Sequence, residues 1–210
     1  MITENMIIEL RETIKSSMSE KRSYHTLAVE QMAMRIADIY VPDKKNVLRA
    51  AALLHDITKE IKTDGQIALC AEYGIELSDQ DILAPKTLHA RTAAARIALQ
   101  FPEFADPEVV SAVRWHTTGR ANMSLCEKII YLSDYIDDSR TFEDCIRVRE
   151  RFFDFDFENA SDREKLEHLD DTLIYSYDLT IKELLVKNAP IAKDTFNARN
   201  ELVCAKLKAN

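Results

Sequence analysis

The stretch Ala50-Ala-Ala-Leu-Leu-His-Asp-Ile-Thr-Lys59 constrains this chain most, because it sets an adjacent His55-Asp56 pair and a lysine in a segment otherwise apolar enough to be core. At about 100° per residue, Leu48, Ala51, Leu53, Leu54, Ile57 and Ile61 spread around most of a helix, so the sequence predicts a buried helix through this region. A carboxylate there is costly unless it is paired, hydrogen-bonded or coordinated to a metal. Lys59, four residues after His55 and three after Asp56, can overhang the same spot. The alternative is a surface Asp56 near Arg49 and Glu60 with an ordinary core histidine beside it. More inward-facing ligands elsewhere in the chain would decide between the two.

With only three glycines and five prolines in 210 residues, the composition favours an all-α chain over a sheet with many turns. The length suits one domain with a substantial core, expected to span 1–210. A net charge of −8 argues against polymeric nucleic acid as a partner but leaves room for a small anion bound beside cations. No apolar run reaches the roughly 18 residues of a membrane span, and the first residues lack a signal-peptide pattern, so a cytoplasmic protein is expected. Cys70, Cys126, Cys145 and Cys204 show no paired spacing and read as free thiols.

Four further positions repeat the pattern of a polar group on an apolar face. His25 heads a stripe of Val29, Met32 and Ile36, and His89 opens an alanine-rich helix containing Ala93, Ala94, Ala95 and Ala98. Asp106-Pro107 starts a helix in which Val109, Ala112, Val113 and His116 share one face, and Thr117-Thr118-Gly119 stops it. Ser124-Leu-Cys-Glu127 is a capping box for a helix whose Asp134 lies between Ile130 and Tyr131, opposite the stripe Leu125, Ile129, Leu132 and Ile136. Residues 137–165 are acidic and aromatic and read as a peripheral flap. His168, among Glu164, Glu167 and Asp170, reads as a solvated surface residue outside the site. A helix from about Asp171 to Lys187 and a final one through Leu207, after the break at Pro190, complete the chain.

His25, His55-Asp56, His89, His116 and Asp134 thus supply four histidines and two carboxylates from separate predicted helices. Six N/O ligands suffice for two ions sharing Asp56, and the set suits iron, manganese or zinc. No two histidines lie four apart and no Glu-x-x-His occurs, which removes the zinc-protease and ferritin-like readings.

This order of ligands resembles that of the binuclear HD-superfamily phosphohydrolases. His55-Asp-Ile-Thr-Lys59, Arg114-Trp-His-Thr-Thr-Gly-Arg120, Met123-Ser-Leu-Cys-Glu-Lys-Ile-Ile-Tyr131, Asp134-Tyr-Ile136 and Thr195-Phe-Asn-Ala-Arg-Asn200 resemble more closely the YqeK family of symmetrical dinucleoside tetraphosphate hydrolases. The resemblance implies an HD-type helical bundle with a binuclear metal site between helices. Its metal-binding core would span about 19–140, and helices at about 171–207 would pack back and close the nucleotide pocket. By the same resemblance His25, His55, Asp56 and Asp134 hold the first ion, and His89 and His116 hold the second or meet the substrate's phosphates. Asp56 and Lys59 are then the catalytic candidates. Nucleotide contacts carry over to Asp56, Ile57, Thr58, Lys59, His89, His116, Asp134, Tyr135, Arg140 and the turn Pro190, Ile191, Ala192, Lys193, Asp194 and Thr195. The chain reads Tyr135-Ile-Asp-Asp-Ser-Arg140 where the family usually has Tyr-Ile-Glu-Pro-x-Arg, and Lys193 stands for a usual proline.

The expected reaction is hydrolysis of diadenosine tetraphosphate to two ADP by water activated at two transition-metal ions, iron before manganese or zinc. The expected partners are a dinucleoside polyphosphate and its ADP or GDP product, and a homodimer is compatible with the sequence. Another HD-type nucleotide phosphohydrolase and a noncatalytic nucleotide-binding module are the alternatives. The complete ligand set counts against the second.

Overall fold

The computed structural model describes residues 1–209, among which there are eleven α-helices and no strand. Helix α1 is Glu4–Ser17, α2 Glu20–Tyr40, α3 Lys45–Leu54, α4 Thr63–Glu72 and α5 Asp79–Leu83. They are followed by α6 Leu88–Gln100, α7 Pro107–Trp115, α8 Leu125–Ile136, α9 Glu143–Phe153, α10 Asp162–Val186 and α11 Lys193–Ala209. No helix among the described residues is long and apolar enough to cross a membrane.

Local chemistry sets the ends that matter for the site. The Ser19 side chain caps α2, and its backbone N–H donates to the Glu60 carboxylate at 2.9 Å, so the start of the His25 helix is tied to the turn after Asp56. Asp106 caps α7 with Pro107 in the first turn, and the capping box at Ser124 starts α8, both as the sequence predicts. Another capping box, Ser161 with Glu164, starts α10 nine residues before the predicted helix at Asp171.

Helices α2, α3, α7 and α8 form the centre, with α6 against α7, α10 along α9 and α8, and α11 against α10. Leu48, Ala50, Ala51, Ala52, Leu53 and Leu54 are all fully buried, as the apolar run requires. Glu30 is fully buried too. It accepts from Arg11 at 2.7 Å and from Arg49 at 2.9 Å, which locks α1, α2 and α3 together and directs Arg49 away from Asp56.

Three expectations need correction. Helix α3 stops at Leu54, and residues 55–60 continue as tight turns with Lys59 N–H bonded to Asp56 O at 2.9 Å and Ile61 N–H to Thr58 O at 3.1 Å. Thr58 is the reason: its hydroxyl donates to His89 O at 2.9 Å, and its carbonyl accepts from Gln66 Nε2, so this segment is captured by α4 and α6. Residues 137–165 are not a loose flap, because they contain α9, whose Val148 and Phe152 are fully buried. His168 is half-buried. It stacks on Phe155 with ring centroids 4.2 Å apart and Nε2 donates to Phe152 O at 3.0 Å, so the aromatic run needs this ring as its cover.

Candidate metal centre

The six sequence-predicted ligands converge. His25 comes from the second turn of α2, His55 and His116 from the first residue after α3 and α7, His89 from the start of α6, and Asp134 from the last turns of α8. Asp56, buried in the turn after α3, stands at the middle with its two oxygens facing opposite ways. Its Oδ2 lies 3.4 Å from His55 Nε2 and 3.8 Å from His25 Nε2, whereas Oδ1 lies 3.3 Å from His89 Nε2 and 3.7 Å from His116 Nε2. Asp134 Oδ1 completes the first side, 3.1 Å from His25 Nε2 and 3.9 Å from His55 Nε2.

The ring nitrogens are assigned by what faces them. The Nδ1 atoms of His55, His89 and His116 sit 2.6, 2.8 and 2.7 Å from the carbonyls of Ala52, Lys86 and Val113. A carbonyl only accepts, so each Nδ1 carries the proton and each Nε2 turns a lone pair inward. Burial favours the neutral His89 and His116 rings, pushing His89 down to about 4 and His116 below its ordinary value. Two such lone pairs, on His89 and His116, face each other across 3.0 Å. His25 Nε2, His55 Nε2 and Asp56 Oδ1 are buried without a hydrogen-bond partner. Acceptors pressed together in this way fit a cation, and two triads, His25/His55/Asp134 and His55/Asp56/His116, have donor atoms close enough for one. The donor set suits a divalent metal ion.

The electrostatics carry the same demand. The Asp56 carboxyl is held well below the usual carboxylate range despite its burial. Asp134 is likewise held low against burial, chiefly by Arg140, which pairs with its Oδ1.

Lys59 reaches the site as predicted, with Nζ 3.1 Å from His89 Nε2, and burial lowers its pKa against the pull of Asp56 and Asp134. Lys59, His116, Asp134, Tyr135 and Arg140 line one cleft of about 650 Å³ that opens from the centre between α8, α9 and the end of α10. That volume lies within the range of small-ligand sites. Thr58 is fully buried and spent on the α6 network, and Ile57 packs against the core. The Pro190 to Thr195 turn lies at the start of α11 and does not line that cleft. Further along α11, Ala198 is near Gly119, where a Cβ would meet it at 3.1 Å, and the charge of Asp194 reaches Arg114.

Sequence reasoning missed three contributors. Arg22, one turn before His25 on the same face of α2, pairs with Asp56 Oδ2 at 2.5 Å. Thr117 Oγ1 is 3.0 Å from His116 Nε2, and Asp137 lies 3.3 Å from His25 Nδ1.

A helical bundle with a buried His/Asp cluster of this kind fits an HD-domain protein, and the family model described as HD domain matches residues 22–138. The chain is 35% identical over 192 residues to the symmetrical bis(5'-nucleosyl)-tetraphosphatase of Halalkalibacterium halodurans, covering 90% of this chain and 93% of that one. It is 31% identical over 195 residues to the Bacillus subtilis protein of the same name, covering 90% and 94%. A solved structure from Clostridium acetobutylicum, described as a "predicted HD superfamily hydrolase involved in NAD metabolism", superposes with a TM-score of 0.79 at 32% identity over 94% of this chain and 97% of that one. The chain belongs to the HD-domain family of symmetrical bis(5'-nucleosyl)-tetraphosphatases.

Proposed function

We propose that this protein hydrolyses dinucleoside tetraphosphates symmetrically, diadenosine tetraphosphate giving two ADP, in one HD-type helical domain. The observation that carries the reading is the Asp56 carboxylate, whose two oxygens face two separate groups of histidine Nε2 atoms. This supports a pair of ions sharing Asp56, the first held by His25, His55 and Asp134 and the second by His89 and His116. Iron is the proposed metal, in keeping with the mixed N/O donor set, which manganese or zinc would also satisfy. Bound there, the ions would supply Lewis-acid charge and acidify water near neutral pH.

The chain's own residues do the rest. Lys59 and Arg140 neutralise the phosphoryl oxygens beside the centre, and Asp134 keeps Arg140 aimed by direct pairing. Tyr135 walls the cleft that takes a nucleoside diphosphate half. Cleavage at the middle anhydride then leaves identical products.

Asp56→Ala tests the assignment of the shared carboxylate. It should deplete bound metal and abolish turnover, both measured on protein purified without chelators. Normal metal content with wild-type turnover would contradict a shared site.

A further inference from the structure

Among the four histidines of the centre, His25 is the one whose Nδ1 faces no backbone carbonyl. His55, His89 and His116 sit at helix ends, where a backbone carbonyl three residues earlier is free to accept from Nδ1. His25 lies inside α2, where such carbonyls belong to the helix ladder, so its Nδ1 must find a partner elsewhere. It faces Asp137 Oδ2 at 3.3 Å and Ser139 Oγ at 3.2 Å.

We propose that Asp137 is the positioning residue of His25: the buried carboxylate, with the Ser139 hydroxyl, keeps the ring proton on Nδ1 and presents the Nε2 lone pair to the metal side. This rests on the reading of His25 as a metal ligand. Asp137 Oδ1 accepts from the Ser139 backbone N–H at 2.9 Å and from the Ser139 hydroxyl. The hydroxyl proton is thereby used, so Ser139 offers His25 only a lone pair. Both neighbours of Nδ1 are acceptors, and one proton, on Nδ1, satisfies them together. Nε2 is left buried and without a hydrogen-bond partner, 3.1 Å from Asp134 Oδ1 and 3.8 Å from Asp56 Oδ2.

The carboxylate is itself held rigidly. Asp137 is fully buried at the end of α8, and Arg149 donates to the Ile136 carbonyl at 2.6 Å and to the Asp137 carbonyl. Arg140 Nε donates to Asp137 Oδ2 at 3.2 Å and to Asp134 O at 2.9 Å. One carboxylate therefore orients a metal-facing histidine and the arginine that borders the cleft. Partners of this kind fix both the tautomer and the angle of a metal-ligating ring, and their loss commonly lowers metal affinity 10–100-fold.

The test is nitrogen-15 NMR of the histidine-labelled, zinc-loaded protein, with zinc affinity measured by chelator competition and no nucleotide present. In the wild type the His25 ring proton should be on Nδ1, and finding it on Nε2 would overturn the proposal. Asp137→Asn should reverse this, because the amide oxygen is claimed by Ser139 and the amide N–H group then faces Nδ1. Zinc affinity should fall about 10–100-fold in that variant, and wild-type affinity in a folded Asp137→Asn protein would also overturn it. Asp137→Glu, which keeps an acceptor, should restore most of the affinity. Ser139→Ala should keep the tautomer with a loss of about threefold or less, since one of two acceptors remains. If the Asn variant does not fold, the wild-type spectrum and the Glu and Ala variants decide. None of these readouts involves substrate, so a wrong nucleotide assignment would leave them intact.

Discussion

Gly119 lies directly beneath the Tyr177 hydroxyl, where a Cβ would come within 1.9 Å of that oxygen. Tyr177 is fully buried on α10 and packs at a tilt against Tyr131 of α8 with centroids 4.6 Å apart, so the ring cannot retreat without moving two helices. The loop that carries His116 is thus held against the C-terminal helices through the absence of a side chain.

Gly119→Ala should destabilise the fold by roughly 2–4 kcal/mol, combining an overpacked contact with the cost of a side chain at φ 63°. Gly74→Ala is the matched control, with φ 66° and nothing within 4 Å of the added methyl, and should cost only about 1–2 kcal/mol. Urea unfolding of both variants measures the difference. Equal costs would show that Tyr177 yields readily.

Lys59→Ala should keep its metal and lose about 10²–10³ in kcat, the usual effect of removing one donor aimed at developing charge. Its Nζ beside His89 places it at the edge of the ligand cluster, so metal content and turnover must be measured on the same preparation. Loss of metal in proportion to activity would make Lys59 a support of His89.

His168→Ala should cost about 2 kcal/mol in stability and leave metal content unchanged, because the ring packs among Phe152, Phe155 and Phe157 and bonds one carbonyl. Burial holds the His168 imidazole below its ordinary value, so the unfolded chain takes up a proton first on acidification. The contribution is complete above about pH 6.5, and the deficit of the variant should shrink as pH falls below that value. Denaturation series at neutral and mildly acidic pH would expose a deficit that grows instead.

The clustering of these six residues was legible in the sequence because each is a polar group on an otherwise apolar face. His25 above Val29, Met32 and Ile36 and Asp134 between Ile130 and Tyr131 both ended inside one cluster. Periodicity fails where helices end. His55 and Asp56 lie beyond α3, and only that turn lets Asp56 divide its oxygens between two histidine groups. Arg22 and Asp137 were not legible, because a charge one turn from a buried ligand has the same sequence signature as one facing water. For His168 the acidic neighbours pointed outward, while the Ser161 capping box and the Phe152 to Phe157 run were the signals that this face is covered.

Symmetrical cleavage is tested most directly by hydrolysing diadenosine tetraphosphate in oxygen-18 water with iron, manganese or zinc supplied, followed by mass spectrometry of the nucleotides. The account predicts ADP as the sole product, with one labelled and one unlabelled ADP per turnover, because water adds to one phosphorus of the middle anhydride and the other half leaves. ATP with AMP as the dominant products, or no cleavage with any of the three metals, would contradict it.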